Sequence, residues 1–246
     1  MQQLDFDGKT KEEVSIEFIR QYEPPEGYFL GFSGGKDSIV LYDLAVQSGV
    51  KFQAYYSNTT IDPPELTKFI RKNYPDVTWL HPRKSFFKFI PQYGFPTKFA
   101  RWCCNELKKK PSKHIKLRHR LMGIRAEESF KRKTRGQINE YSEQIIYSPI
   151  FDWLEWEVWE YIERKELHYC SLYDEGFDRL GCVICPFVCN PNSWKLKLYK
   201  ERWPKHYQAF EKAMIELWDD REWWRQTRMR YAMLPEEFIE NWYRGK

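Results

Sequence analysis

The chain has 246 residues, of which 42% are hydrophobic and 30% charged, with a net charge of +5. That length can bury a sizeable core, as one large domain or as a domain with an appended lobe. No run of about 18 apolar residues occurs, which excludes a helical membrane span; Met1–Arg20 hold no apolar signal core, so the expected location is cytoplasmic.

In chain order, Tyr28–Phe32 is a short apolar run that predicts a strand, and Ser38–Ser48 has helical periodicity ending at Gly49. Between them lies S-G-G-K-D-S, Ser33 to Ser38. A strand, a glycine turn and a helix aim several backbone N–H groups and the positive helix end at one spot. Gly34 and Gly35 allow the tight turn, Lys36 adds a point charge, and Ser33 and Ser38 add hydroxyls. Asp37 suits such an anion site if a divalent cation is held against phosphates. Lys36 and Asp37 are expected to be exposed on this loop. Val50–Ser57 predicts a second strand, and Asp62-Pro63-Pro64-Glu65 opens a helix through Leu66, Phe69, Ile70 and Tyr74. A third strand is expected at Val77–Leu80, a helix at Phe86–Tyr93, and further strands at Leu121–Ile124 and Gln144–Ile150.

Strands separated by helical crossovers imply an α/β fold: a mainly parallel twisted sheet with helices on both faces. Ligands bind such sheets outside the carboxyl ends of the strands, where the Ser33 loop, Asn58-Thr59-Thr60 and Arg125 are expected to converge. After Pro149 the pattern changes. A helix from Asp152 carries Leu154, Val158, Tyr161 and Ile162, a glycine-containing loop follows, and a helical C-terminal portion starts at Trp194. There Tyr199, Trp203, Tyr207, Phe210, Met214 and Leu217 form a stripe that reads as a buried face. The expected division is a nucleotide-binding α/β domain over 1–150 and a cysteine-cluster loop with a helical lobe over 151–246.

Six cysteines occur, and Cys103-Cys104 is separated by 77 residues from the C-x-x-C of Cys182 and Cys185. Four thiols on two segments suit a metal ion, an iron–sulfur cluster or a redox dithiol. Cys170 reads as a buried small hydrophobe, and Cys189 as a spare ligand, a redox thiol or a bystander. From Lys98 to Arg135 there are 14 Lys/Arg against three Glu, a net +11. This tract is either a solvated face or a surface for a polyanion, such as nucleotide phosphates, tRNA or DNA.

Several segments resemble, in the same order, the phosphoadenosine phosphosulfate (PAPS) reductase-like family of the pyrophosphate-loop ATP pyrophosphatase superfamily. They are S-G-G-K-D-S at Ser33, N-T-T-I-D-P-P-E at Asn58, C-C-N-E-L-K-K-K-P at Cys103 and G-I-R-A-E-E-S at Gly123. The run from Pro149 and L-Y-D-E-G-F-D-R-L-G-C-V-I-C-P at Leu172 complete the set. The resemblance implies an adenine nucleotide alpha hydrolase-like sheet with an adenine nucleotide on Ser33, Gly34, Gly35, Lys36, Asp37, Ser38, Asn58, Thr59 and Arg125.

The cysteines resemble those of iron–sulfur adenylyl-sulfate reductases. That resemblance implies a [4Fe–4S] cluster on Cys103, Cys104, Cys182 and Cys185, with zinc as the fallback, and Lys108 between cluster and substrate. Two departures stand out. The chain has no cysteine after Cys189, where these reductases keep their nucleophile, and its loop is complete where theirs is degenerate. Both lean toward ATP and Mg²⁺, with Lys36, Asp37, Lys108 and Arg125 serving α/β-phosphate cleavage and sulfur insertion into an unknown acceptor. The competing readings are a PAPS or adenylyl-sulfate reductase and a catalytically silent nucleotide- or nucleic-acid-binding subunit. A homo-oligomer or a larger complex is compatible with all three.

Overall fold

In the computed structural model of the protein, residues 8–188, 194–220 and 234–244 are described. The chain runs α1 (Lys11–Gln21), β1 (Tyr28–Gly31), α2 (Lys36–Ser48), β2 (Phe52–Ser57), α3 (Pro64–Asn73), β3 (Thr78–Leu80) and α4 (Phe86–Tyr93). It continues through α5 (Trp102–Cys104), β4 (His119–Met122), α6 (Phe130–Lys133), β5 (Ile138–Tyr141), β6 (Gln144–Tyr147) and α7 (Glu155–Arg164). The last described helices are α8 (Trp194–Arg202), α9 (Pro204–Asp219) and α10 (Pro235–Tyr243).

These elements form two compact units. The first comprises residues up to Tyr56, Pro64–Leu80 and His114–Leu180; the second comprises Ser57–Pro63, His81–Lys113 and the residues from Gly181 onward. The first unit is built on a six-stranded sheet of order β3-β2-β1-β4-β6-β5. β1 pairs in parallel with β2 and β4, and β4 with β6; β5 is antiparallel to β6. The expected α/β fold with a mainly parallel sheet is therefore present, with a helical portion at its C-terminal end. Leu30, Ile39, Leu41, Leu44 and Leu121 are among the side chains sealed in its core. β1 pairs with β2 on one side and β4 on the other, so the chain reverses direction across the sheet between β1 and β4. This is the topological switch point at which open α/β sheets form a crevice.

Local chemistry explains several boundaries. α1, absent from the sequence-based expectations, starts at a capping box: Thr10 Oγ1 accepts from the Glu13 N–H at 3.2 Å, and Glu13 Oε2 accepts from the Thr10 N–H at 2.8 Å. β4 lies two residues earlier than expected because the Ile124 N–H donates to the Met122 carbonyl at 2.8 Å, turning the chain sharply. The β5–β6 hairpin escaped notice because its turn residues, Ser142 and Glu143, hold φ of 48° and 66°, a conformation usually announced by Asn-Gly or Asp-Gly.

In the second unit α9 packs against α4, α8 and α10. All six residues of the C-terminal aromatic stripe are buried, as expected. Pro204, at the first turn of α9, divides that stripe between α8 and α9. Among the described residues no helix is long and apolar enough to cross a membrane.

Candidate functional site

The Ser33 loop leaves β1 on the crevice side of the switch point and enters α2 at Lys36. A ladder of hydroxyl contacts fixes it. Ser38 Oγ accepts from the Ser33 N–H and from Ser33 Oγ, each at 3.1 Å, and donates to the Gly35 carbonyl at 2.8 Å. Gly34 has φ of 72°, and a Cβ there would meet Leu66 and Ile70 of α3 at 2.8 Å, so glycine is required on both counts. Gly35 is the α2 N-cap and supplies no side-chain cap. Of the first-turn N–H groups, that of Lys36 donates to the Tyr173 hydroxyl at 2.9 Å and that of Ser38 to the Gly35 carbonyl at 2.9 Å, which leaves the Asp37 amide and the helix dipole to face an anion.

Lys36 is only 5% exposed, contrary to the expectation of an exposed loop residue, and Asp37 is partly buried. The helix starts two residues before the expected Ser38, and residues 173–178 come to meet its first turn. Lys36 Nζ lies 3.1 Å from Glu155 Oε1, donates to the Asp178 carbonyl at 3.1 Å, and sits 3.9 Å from Asp37 Oδ2. Arg125, 3% exposed, follows β4 on the other side of the crevice. Its Nε donates to Asp37 Oδ1 at 2.6 Å, and Nη1 pairs with Glu127. Burial pulls the guanidinium pKa down, but Asp37 and Glu127 outweigh it and hold the group above its usual value. The two backbones also touch: a Cβ at Gly123 would lie 2.9 Å from the Asp37 carbonyl oxygen. Ser33, Gly34, Gly35, Lys36, Asp37, Ser38 and Arg125 are therefore together. Asn58 and Thr59 belong to the second unit.

The thiols Cys103, Cys104, Cys182 and Cys185 all belong to the second unit, are half-buried and form no disulfide. Trp102 anchors the tandem pair, its ring stacked at 5.5 Å on both Phe86 and Tyr93. One π-helical turn, Asn105–Lys109, then carries Lys108. Thr59, 1% exposed, accepts from Cys182 Sγ at 3.5 Å, and the Val183 N–H donates to the Ile61 carbonyl at 2.8 Å, docking the C-x-x-C segment on the Asn58 turn.

A hydrogen bond between Cys103 and Cys104 raises the first thiol's pKa and lowers the second's. Burial and the charges of Cys104, Cys182 and Cys185 add to the rise, whereas Lys108, Arg101 and Lys109 favour the Cys104 thiolate against burial. Burial pushes Cys182 up to about 11 against the pull of Lys108. The Cys182 charge is the largest influence raising the pKa of Lys108, an exposed residue, with Asp62, Cys104 and Cys185 contributing in the same direction. The four thiols are thus near enough to sense one another. Among the described residues, however, no three Cys, His, Asp or Glu side chains close on a point as one bound ion requires. Thiols are the donor type that iron–sulfur clusters use.

The sequence profile of the phosphoadenosine phosphosulfate reductase domain matches residues 27–188. The chain belongs to that family. An uncharacterized protein of Methanocaldococcus jannaschii is 31% identical over 220 residues, covering 83% of this chain but 45% of that protein, so the chain spans less than half of that relative. A probable FAD synthase of Schizosaccharomyces pombe is 29% identical over 180 residues, covering 68% of this chain and 63% of its own. Among solved structures, the PAPS reductase of Candida auris in its phosphate complex superposes with a TM-score of 0.56 at 18% identity, covering 73% of this chain and 96% of that one, which shows a shared fold.

Within this PAPS reductase domain, sequence reasoning missed Tyr173, Glu155, Glu127 and Arg179. Tyr173 and Arg179 sit in the recognised L-Y-D-E-G-F-D-R segment, which was legible as a motif but had no assigned partner. The Arg132 pKa is lowered by burial and by the neighbouring charges of Arg179, Arg125 and Arg135, while Asp37 opposes this, so several arginines lie in the surroundings of Asp37. Of the basic tract, Lys109, Lys110 and Lys113 are exposed in the second unit and Lys116 is exposed in the first. Cys170 is 1% exposed, and burial pushes its thiol up, as its apolar setting implied. Cys189 lies outside the described residues.

Proposed function

We propose that the protein binds ATP at the Ser33 loop and cleaves it between the α- and β-phosphates. An acceptor atom attacks the α-phosphorus, the bond to the bridging oxygen breaks, and pyrophosphate leaves. One observation carries this reading: an intact S-G-G-K-D-S loop stands at the switch point of the sheet with Arg125 hydrogen-bonded to its Asp37. Lys36 and the first-turn amides of α2 would stabilise charge on the departing pyrophosphate. Arg125 would hold an α-phosphate or acceptor oxygen with its planar fork. Asp37 would hold Mg²⁺ against the phosphates, and Asn58 and Thr59 would border the nucleoside. The relative described as a probable FAD synthase supports nucleotidyl chemistry on this type of domain.

The acceptor reaction would be sulfur chemistry. Cys103, Cys104, Cys182 and Cys185 would hold a [4Fe–4S] cluster, which supplies one-electron chemistry when bound. Lys108 would hold an anionic substrate group beside the thiols. The exposed Lys109, Lys110, Lys113 and Lys116 suit tRNA or DNA as acceptor, in which case binding should weaken steeply with salt.

A second reading, reduction of PAPS or adenylyl sulfate, is favoured by the family match and the tandem cysteines. It needs a reachable nucleophilic thiolate, and the buried Cys170 with its raised pKa does not meet that need. Anaerobically purified protein offered ATP, adenylyl sulfate and PAPS separates the two. Pyrophosphate from ATP is expected; sulfite from a sulfonucleotide without any pyrophosphate would replace this reading with the reductase.

A further inference from the structure

Tyr173 lies 137 residues downstream of Lys36, yet its hydroxyl oxygen accepts the Lys36 N–H at 2.9 Å. It has taken one of the first-turn amides of α2 that a phosphate would otherwise use. The same hydroxyl keeps its own proton, and the carboxylates of Asp37 and Glu155 are near enough to act on it. A hydroxyl that accepts from a helix N-terminus is polarised as a donor, and a hydrogen bond from it to a charged phosphate oxygen is of the strong kind.

Two features show that the ring is built into the loop rather than resting on it. Trp159 of α7 packs edge-on to it at 5.0 Å, Tyr169 does so at 6.3 Å, and Lys36 Nζ stands 5.7 Å from the ring centroid. A Cβ on Gly35 would lie 3.3 Å from the Tyr173 hydroxyl, a tight contact that the ring would have to ease by a few tenths of an ångström. Burial, with the charges of Asp37 and Glu155, raises the phenol pKa, so the hydroxyl is protonated at neutral pH.

We propose that Tyr173 is a phosphate-binding residue of the Ser33 loop, which takes over the Lys36 amide and presents its own O–H to the pyrophosphate end of a nucleoside triphosphate. The proposal rests on the reading that the Ser33 loop binds ATP, and it extends that site with a donor from a distant segment. A residue that merely pinned segment 171–178 in place would affect all ligands and the stability of the fold alike. A phosphate donor affects only ligands with a pyrophosphate group.

The test is titration calorimetry of wild type, Tyr173→Phe and Lys36→Ala with inorganic pyrophosphate, ATP and adenosine, beside thermal melts. Tyr173→Phe should weaken pyrophosphate and ATP about tenfold, the worth of one hydrogen bond to a charged group. Adenosine affinity and the melting temperature should stay as in wild type. Tyr173→His, which keeps a donor at the ring edge, should recover part of the loss and serves if the Phe variant folds poorly. Pyrophosphate binding that is lost in Lys36→Ala but unchanged in Tyr173→Phe would overturn the proposal and leave the ATP reading standing. Equal weakening of adenosine and pyrophosphate in Tyr173→Phe would also overturn it. Absence of ATP and pyrophosphate binding in wild type would overturn the ATP reading, and the proposal with it.

Discussion

Around the Ser33 loop, Lys36 and Arg125 each face carboxylates of their own unit, whereas Lys108 in the other unit faces thiols that oppose one another's ionisation. The first arrangement is electrically matched before any ligand arrives. On the proposed ATP reading, an incoming polyphosphate would have to exchange with Glu155 and Asp37, so specificity would come from geometry as well as charge. In the second, the hydrogen bond to Cys104, burial and the neighbouring thiols raise the Cys103 pKa, while Lys108, Arg101 and Lys109 favour the Cys104 thiolate. On the proposed cluster reading, a bound iron–sulfur core would offset the mutual opposition of these thiols.

Four experiments would break or sharpen this contrast. The largest effect should come from emptying one core at a time. Phe210 is fully buried, its ring 4.6 Å from that of Trp242, so Phe210→Ala should destabilise the second unit by about 4 kcal/mol. If the units are energetically separate, hydrogen exchange will show the β1–β4 amides keeping their protection while α9 loses it. Uniform loss across both would merge the units into one cooperative body.

Next, Lys36→Ala should lower pyrophosphate release from ATP about 10²–10³-fold, a loss typical of one preorganised charge-stabilising group. Because its partner Glu155 is half-exposed, the melting temperature should fall little. Undiminished turnover would move the nucleotide site elsewhere.

Arg125→Ala should cost about 3 kcal/mol of stability, because it leaves Asp37 without its buried partner. Arg125→Lys should recover charge but not the Nε and Nη1 contacts together, and so only part of the stability. Full recovery by lysine would show that charge alone matters there.

The smallest effect is acid-dependent. Glu106 in the second unit is 4% exposed; burial acts to raise its pKa, but Lys110 and the Tyr93 hydroxyl prevail and hold it below the usual 4.5. A depressed carboxyl contributes stability above its unfolded pKa and loses it as pH falls through the folded value. Wild type should therefore lose about 1 kcal/mol more than Glu106→Gln between pH 5 and pH 3. Equal acid sensitivity would show that the Lys110 pair contributes nothing.

Much of this was readable locally. S-G-G-K-D-S between an apolar strand and a periodic helix announces an anion loop from six adjacent residues, because strand, turn and helix propensities act within a few residues of each other. The tandem cysteines, the C-x-x-C and the parallel α/β alternation are equally local patterns. The β5–β6 hairpin escaped because Ser142 and Glu143 adopt a backbone that their residue types do not advertise.

What the sequence alone determined, then, was the chemistry available: the S-G-G-K-D-S loop, an arginine after a later strand, four thiols and the α/β class. Tertiary structure decided the partners. It set β4 beside β1 so that Arg125 reaches Asp37, brought Tyr173 and Asp178 onto Lys36, buried that lysine, and gathered Cys103, Cys104, Cys182 and Cys185 into one unit drawn from separated segments. The physical reason is distance along the chain. Propensity and periodicity act over a few residues, whereas ion pairs and crevices form between groups 88 to 142 residues apart, and only the closing of the sheet brings these within hydrogen-bonding reach.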